Sequence, residues 1–507
     1  MKKQLIAILA LLTVGTLMVS SQEVNTLYFL ENAPMRHKIN PAFQPVSWTY
    51  VGLLPIHYTS FSIGNNALAL NDLVYKKDGK LITGLYPGET DKLSNRLKND
   101  LRFTTNMELA ILNFGSRTKD SLGYFHFGVN EKIEGTVAVP GDIYDALNSG
   151  TDHPGGRTVS LKSLALNVTA LTEFSVGYSR KAFENKWVIG GKVKFLYGNA
   201  YADFRMNDAY LKMYPDQLQA YISGDLNVAG PFVQNMPSRI DKENISSLTN
   251  YMDMSIGGFL KPKGLGGAVD LGFTYKPIEQ LQIAVSVTDL GFVHWNSTTY
   301  SMKGDTTYTG PVIHYSELTS TTADEQNTGL NAIIDTIGAY VSSFAQNSIV
   351  GRLTNTKGVT RMTNTRLHVG VDGNFCQNKI GVGIYSQTQF RNGRVYEEVT
   401  IGAAVRPVNW FNFALSYSFL NGRGNSMGAG LSFMPYDGFN IMLTTDYIPF
   451  TYADVSTGGN SFTVPYKMKG LNFGIGVTIV VGTNPSTAKK RIYVKDVEDN
   501  IPTNTNL

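Results

Sequence analysis

The chain has 507 residues, of which 17% are charged against a usual ~25%; 50 are glycine, and aromatics reach 11% with 27 Tyr and 26 Phe. Lys plus Arg is 44 against 40 for Asp plus Glu, which leaves no electrostatic footprint for nucleic acid, and a lone cysteine, Cys376, excludes an internal disulfide. Low charge with abundant strand formers and glycines points to an all-β chain rather than a soluble helical enzyme.

Met1-Lys2-Lys3, an apolar run from Leu5 to Val14 that continues weakly to Val19, and Ser20-Ser21 before Gln22 form a Sec-type signal peptide over residues 1–21. No cysteine follows the expected cleavage near Ser21, so the exported chain is not a lipoprotein. The competing reading, an N-terminal anchor, is disfavoured because the apolar core is short for a ~20-residue span. Beyond residue 22 no stretch of 18 apolar residues occurs. An exported membrane chain without helical spans has one way to pair every backbone group in lipid, a closed barrel.

Strands are predicted near 46–64, 101–114, 121–139, 158–181, 187–203, 266–275, 281–290, 366–375, 380–390, 396–406, 410–420, 426–434, 438–447 and 470–481. The period of two is clearest where Phe411, Phe413, Leu415, Tyr417 and Phe419 alternate with Asn412, Ala414, Ser416 and Ser418. These make a transmembrane antiparallel barrel of about fourteen strands; sixteen is also compatible, since 46–64 and 158–181 each read as a bent strand or a hairpin. Tight turns at 276–280, 376–379, 407–409 and 435–438 alternate with connections at 391–395 and 421–425 and with three long excursions, 204–265, 291–365 and 448–469. That alternation puts both termini on the short-turn, periplasmic side. Within 291–365, Leu330, Ile333, Ile334, Ile337, Val341 and Phe344 predict an amphipathic helix over 328–346 in an external loop. Trp48, Trp187, Tyr275, Trp410 and Tyr447 near strand ends suit an aromatic girdle.

Charge placement adds an independent sign. Glu173, Lys192, Lys194, Asp270, His368, Asp372, Arg406 and Asp446 fall on the strand parity opposite the oily rows, which in a barrel faces the lumen. A secreted soluble β-sandwich would also segregate charge, but does not predict alternating connection lengths. Catalytic signals are weak. Gly424-Asn425-Ser426-Met427-Gly428 fits the hydrolase elbow pattern but leads into a strand instead of a helix. His368 and Asp372 share a strand face, where lumen hydrogen bonding outweighs a metal or a shared proton. No enzyme, cofactor or metal site follows.

Asn25-Thr26-Leu27-Tyr28-Phe29-Leu30-Glu31-Asn32, with Asn40-Pro41-Ala42-Phe43, resembles the opening of an uncharacterised family of Bacteroidota outer-membrane barrels, a domain of unknown function. Gly177-Tyr178-Ser179 through Gly190 to Gly198, and Val269 to Gly272 through Asp289 to Trp295, extend the likeness over most of the chain. More distantly it resembles FadL-type transporters of hydrophobic compounds, fourteen-stranded barrels with an N-terminal lumenal hatch and an Asn-Pro-Ala element, here Asn40, Pro41 and Ala42. The glycine- and alanine-rich run usual before that element is absent, and the chain ends on Asn506-Leu507 rather than on an aromatic-terminated strand. The resemblance implies a signal peptide 1–21, a hatch 22–45, a barrel 46–481 and a periplasmic tail 482–507. It also implies outer-membrane lipid, the outer-membrane assembly machinery and a hydrophobic small-molecule ligand as partners in a Gram-negative bacterium. The alternative is a non-transporting barrel that displays loops or assists secretion. A continuous apolar pocket between loops and hatch favours the first reading, and a polar, filled lumen the second.

Overall fold

The computed structural model describes residues 24–66, 68–69, 74–77, 80–83, 100–142, 156–214, 217–230, 238–240, 261–309, 350–420, 423–434, 438–448, 452–457, 460–465 and 470–482. Fourteen strands form the wall: β1 Thr49–Asn65, β2 Leu101–Arg117, β3 Gly123–Val139, β4 Ala165–Ala182, β5 Trp187–Met213, β6 Gly264–Ile278, β7 Leu281–Trp295, β8 Arg366–Phe375, β9 Ile380–Arg391, β10 Arg394–Val405, β11 Phe411–Leu420, β12 Arg423–Phe433, β13 Asn440–Thr445 and β14 Gly470–Val481. Each pairs antiparallel with the next. β14 returns to β1 with Thr49 opposite Val481 and Gly64 opposite Gly470, so the sheet closes on itself.

The wall is inverted relative to a water-soluble core. In β9, Ile380, Val382 and Ile384 point outward at 41%, 46% and 53% exposure, while Tyr385, Gln387 and Gln389 are buried inside. β14 repeats this with Phe473, Ile475, Ile479 and Val481 outside and Asn472 and Thr478 inside. A contiguous apolar belt of this kind is what a monomer in water avoids and a bilayer accepts. The sandwich reading falls here, because its oily faces would be hidden between two sheets.

Both ends of the wall meet at one rim, the near end, where the Trp48 amide donates to the Gly482 carbonyl at 3.3 Å. Turns there are short. Phe183-Glu184-Asn185 and Cys376-Gln377-Asn378 each place three successive residues at positive φ. The strict alternation of short and long connections does not hold: β9 and β10 join at the far end by Asn392-Gly393 at φ 50° and 73°, the two-residue turn that matches strand twist. Nor are the long excursions plain loops. β5 runs past its last β6 partner and pairs with Gln217–Ala229, which pairs with Thr298–Thr309, which pairs with Val350–Asn355. Val359–Met362 returns along Phe292–Trp295. Thr298–Thr309 opens Thr-Thr-Tyr-Ser-Met-Lys, with strand formers but no oily row, whereas Gln217–Ala229 alternates Leu218, Ala220, Ile222, Leu226 and Val228 with polar residues. The helix expected over 328–346 and the tail beyond Gly482 lie outside the described residues. Of the expected girdle, Trp48 and Trp410 are exposed at the near end and Trp187 stacks on Tyr275 at 4.4 Å, whereas Tyr447 is buried.

Candidate functional site: the lumen and its far-end cavity

Residues 24–45 lie within the lumen and touch inward-facing groups all around the wall. Two short 3-10 turns, Asn25–Phe29 and Pro34–Lys38, shape this segment, the second opened by Pro34 in a position where no amide is needed. Leu27, Tyr28, Phe29, Leu30, Met35, Ile39 and Phe43 pack with Tyr50, Tyr58 and Tyr385 into one buried cluster. Polar contacts fix its height. The Tyr28 hydroxyl donates to Asp372 at 2.6 Å, Glu31 pairs with Arg406 at 2.9 Å, Lys38 with Glu108 at 2.5 Å, and Ser286 donates to the Ile39 carbonyl at 2.7 Å.

Two titratable groups of this segment are shifted. Burial raises the Glu31 carboxyl, but the Arg406 and Arg36 guanidinium groups outweigh it and hold Glu31 below its ordinary value. Burial, with the Lys192 ammonium next, holds His37 well below the usual histidine range. His37 is therefore neutral: Nδ1 accepts from Lys192 at 2.8 Å, which leaves Nε2–H to donate to the Tyr50 oxygen at 2.8 Å.

Asn40-Pro41-Ala42 presses on the wall. Asn40 Nδ2 donates to the Phe273 and Val285 carbonyls, each at 3.2 Å, and its Oδ1 accepts from the Ala42 amide at 2.8 Å. The strands yield room by lacking side chains: a Cβ on Gly272 would overlap Asn40 Oδ1, and one on Gly190 would overlap the Pro41 carbonyl.

Toward the far end the lumen carries an ionic knot. Lys194 Nζ lies 2.8 Å from Asp270, 2.6 Å from Asp289 and 3.5 Å from Glu173; Lys132 lies 2.8 Å from Glu173. Arg366 spans Asp289 at 2.5 Å and Glu134 at 3.2 Å. Asp289 is the hub, and it arrives by a backbone irregularity. Val269 faces Leu290 but Leu271 faces Val287, so Thr288 and Asp289 together oppose Asp270, with Asp289 at φ 56°. This bulge sends two successive side chains inward.

Above the knot lies a cavity of about 760 Å³. Leu171, Leu196, Val293 and Trp295, stacked on Tyr201 at 4.9 Å, form its apolar side; Lys132, Glu134, Asp289, Arg361 and Arg391 form its polar side. Its lining also includes the exposed residues Leu290, Met362, Phe390 and Val395, the last two a cross-strand pair beside the short Asn392-Gly393 turn. The cavity thus reaches from buried charges to oily outer surface.

The sequence profile of a family of unknown function, DUF5723, matches residues 41–446. The chain belongs to that family. No curated protein matches it. Among solved structures it is similar to the P. putida toluene transporter TodX, at 9% identity and TM-score 0.38 over 88% of this chain and 93% of that one. It is also similar to the CymD monoaromatic hydrocarbon channel, at 10% identity and TM-score 0.36 over 89% and 93%. A third is the translocator domain of the autotransporter NalP from Neisseria meningitidis, at 7% and 0.29 over 85% and 88%.

Within this DUF5723 barrel, Glu173, Lys194 and Asp270 meet in the knot. Lys192 serves His37, Asp372 serves Tyr28, and Arg406 serves Glu31. Asp446 accepts the Asn25 amide. His368 bonds the Tyr385 and Thr288 hydroxyls at 2.7 and 2.9 Å rather than Asp372. Gly424 to Gly428 lie wholly inside β12, with Ser426 opposite Ser418, so no nucleophile elbow forms. The sequence reading did not name Asp289, Arg366, Glu134 or Lys132, although the last three stand on the inward parity of their strands, Arg366 with His368 and Lys132 and Glu134 with His126. The wall glycines offered a further cue, since inward positions such as Gly190 and Gly272 mark where the lumenal segment touches.

Proposed function

We propose that the chain is an outer-membrane barrel, exported by its signal peptide and inserted by the assembly machinery, that binds a hydrophobic small molecule in the far-end cavity. The carrying observation is the lining of that cavity: apolar on one side, and continuous with exposed Leu290, Met362, Phe390 and Val395. A ligand dissolved in lipid would enter there without crossing water. Burying a drug-sized apolar body in about 760 Å³ matches the size of ordinary ligand pockets. Residues 24–45 act as the hatch beneath it, and onward passage requires them to move. A lateral exit has two candidate irregularities: β12 carries one extra residue between Gly424 and Ser426, and β1 loses register between Leu53 and Tyr58 against β2.

The filled, polar lumen supports a second reading, in which the barrel only displays the far-end strands 217–229 and 298–309 to a partner. One experiment separates the two. Purified protein in mild detergent is titrated with N-phenyl-1-naphthylamine while native lipids are identified by mass spectrometry. Saturable binding lost in Val293→Asp supports the cavity; no saturable binding and no co-purified apolar ligand supports display.

A further inference from the structure

Residues 24–45 are tied to the wall at His37 by hydrogen bonds whose direction is fixed by Lys192. Lys192 Nζ lies 2.8 Å from His37 Nδ1 and 2.7 Å from the His37 carbonyl, and an ammonium can only donate. The His37 ring therefore keeps a lone pair on Nδ1 and spends its single proton on the Tyr50 oxygen. The Tyr50 proton is then left for His126 Nδ1, 3.3 Å away. His37 has no place for a second proton. One added at Nδ1 would set an N–H against the lysine ammonium at 2.8 Å, so that the bond is lost and two cations face each other.

The groups packed around His37 add to that penalty. His126 on β3 puts its ring centroid 4.2 Å from that of His37, and Tyr124 on β3 stacks against His126 at 4.9 Å and against Tyr50 on β1 at 6.4 Å. Lys192 on β5 is the largest charge facing His37; His126, Lys38 of its own segment and His57 on β1 act in the same sense. The acids that share this part of the lumen, Glu108, Glu173, Asp270 and Asp289, pair with Lys38, Lys132 and Lys194. His37 and His126 are both buried, and both rings are covered only while residues 24–45 are seated.

We propose that His37 is an acid-sensitive latch: at neutral pH its lone pair on Lys192 holds residues 24–45 in the lumen, and a proton taken up at Nδ1 breaks the latch and releases the segment from the wall. The sign follows from linkage. Seated His37 is neutral, whereas the unseated side chain regains an ordinary pKa of about 6.5, so the unseated state binds more protons. Seating is at full strength above about 6.5 and weakens as pH falls below it. Between pH 7.5 and 5.5 His37 alone raises the unseated-to-seated ratio about tenfold, and His126 can add at most a similar factor. The Glu31 contribution changes only below about 4.3, outside this range. The inference takes residues 24–45 as the movable hatch of the reading above but needs no ligand in the cavity; its test measures seating and not probe binding, so either can fail without the other.

The test uses full-length protein purified from membranes in mild detergent and digested with thermolysin from pH 7.5 to 5.5. Cleavage within 24–45 is followed by mass, each rate divided by that of heat-unfolded protein at the same pH. Amide exchange over the same residues, corrected for its intrinsic rate, gives a second reading. The wild type should show a rise of about tenfold or more that reverses at pH 7.5, with heat-modifiable migration intact throughout. His37→Gln can accept from Lys192 and donate to Tyr50 without titrating; its rate should stay within about twofold of that left by His126 alone. Should His37→Gln not seat at pH 7.5, Lys192→Met decides, since removing the facing ammonium should shrink the rise. A flat wild-type profile, a rise undiminished in the deciding variant, or a rise that accompanies loss of the heat-modifiable band would each overturn the latch.

Discussion

Substituting Gly272 by Ala places a methyl group on Asn40 Oδ1. The wall is a continuous ladder at that point, with Gly272 paired to Ser286 and Gly190, so the side chain of Asn40 must give way. Its departure removes three hydrogen bonds, to the Phe273 and Val285 carbonyls and from the Ala42 amide. At about 1 kcal/mol net for each, seating of residues 24–45 weakens by about 2 to 3 kcal/mol. At tenfold per ~1.4 kcal/mol, the unseated fraction rises roughly 30- to 140-fold. Asn40→Ala loses the same bonds, so the double variant should be no worse than Asn40→Ala alone, a strongly non-additive cycle. Trypsin cleavage at Arg36 and Lys38 in the folded barrel reads the unseated fraction, and amide exchange over 24–45 reads it independently. Additive effects, or unchanged cleavage in Gly272→Ala, would refute contact between Asn40 and the wall.

Three further outcomes follow from the lumen. Asp289→Asn leaves Lys132, Lys194 and Arg366 short of a shared carboxylate, and breaking a buried pair of this kind costs about 3 to 5 kcal/mol; a fall in the heat-modification temperature checks it, and a change below about 1 kcal/mol contradicts the hub. Glu31, held below its ordinary value by Arg406, stabilises the seated segment above the free carboxylate's pKa of about 4.3, and that contribution is lost as pH falls through the lower seated value. Protease protection of 24–45 should therefore decline in acid, and Glu31→Gln should flatten the decline. Val293→Asp should abolish saturable apolar probe binding while leaving heat-modifiable migration unchanged.

The sequence made the wall legible wherever one face is oily and the other wet. β8 to β11 alternate without interruption, and their predicted and observed limits agree within a few residues. The far-end strand 298–309 escaped because no apolar row marks it, whereas 217–229 does alternate, with Leu218, Ala220, Ile222, Leu226 and Val228 on one face, and was passed over inside a long excursion. Asp289 escaped for a different reason: it shares odd parity with Leu281, Ile283, Val285 and Val287, so period-two reasoning sends it into lipid. Only a left-handed backbone residue turns it inward, and Asp carries no unambiguous sign of adopting one. The contacts of residues 24–45 were equally invisible, since partners such as Asn25 and Glu398 stand 373 positions apart.

The account rests on which face of each strand touches hydrocarbon. With Cys376 replaced by Ser, single nitroxide labels at successive positions from 381 to 388 in β9 would report oxygen and nickel-complex accessibility in reconstituted bilayers. High oxygen access at 382, 384, 386 and 388, alternating with low access to both reagents at 381, 383, 385 and 387, is the expected pattern. Alternation of the opposite phase, or none, would contradict it.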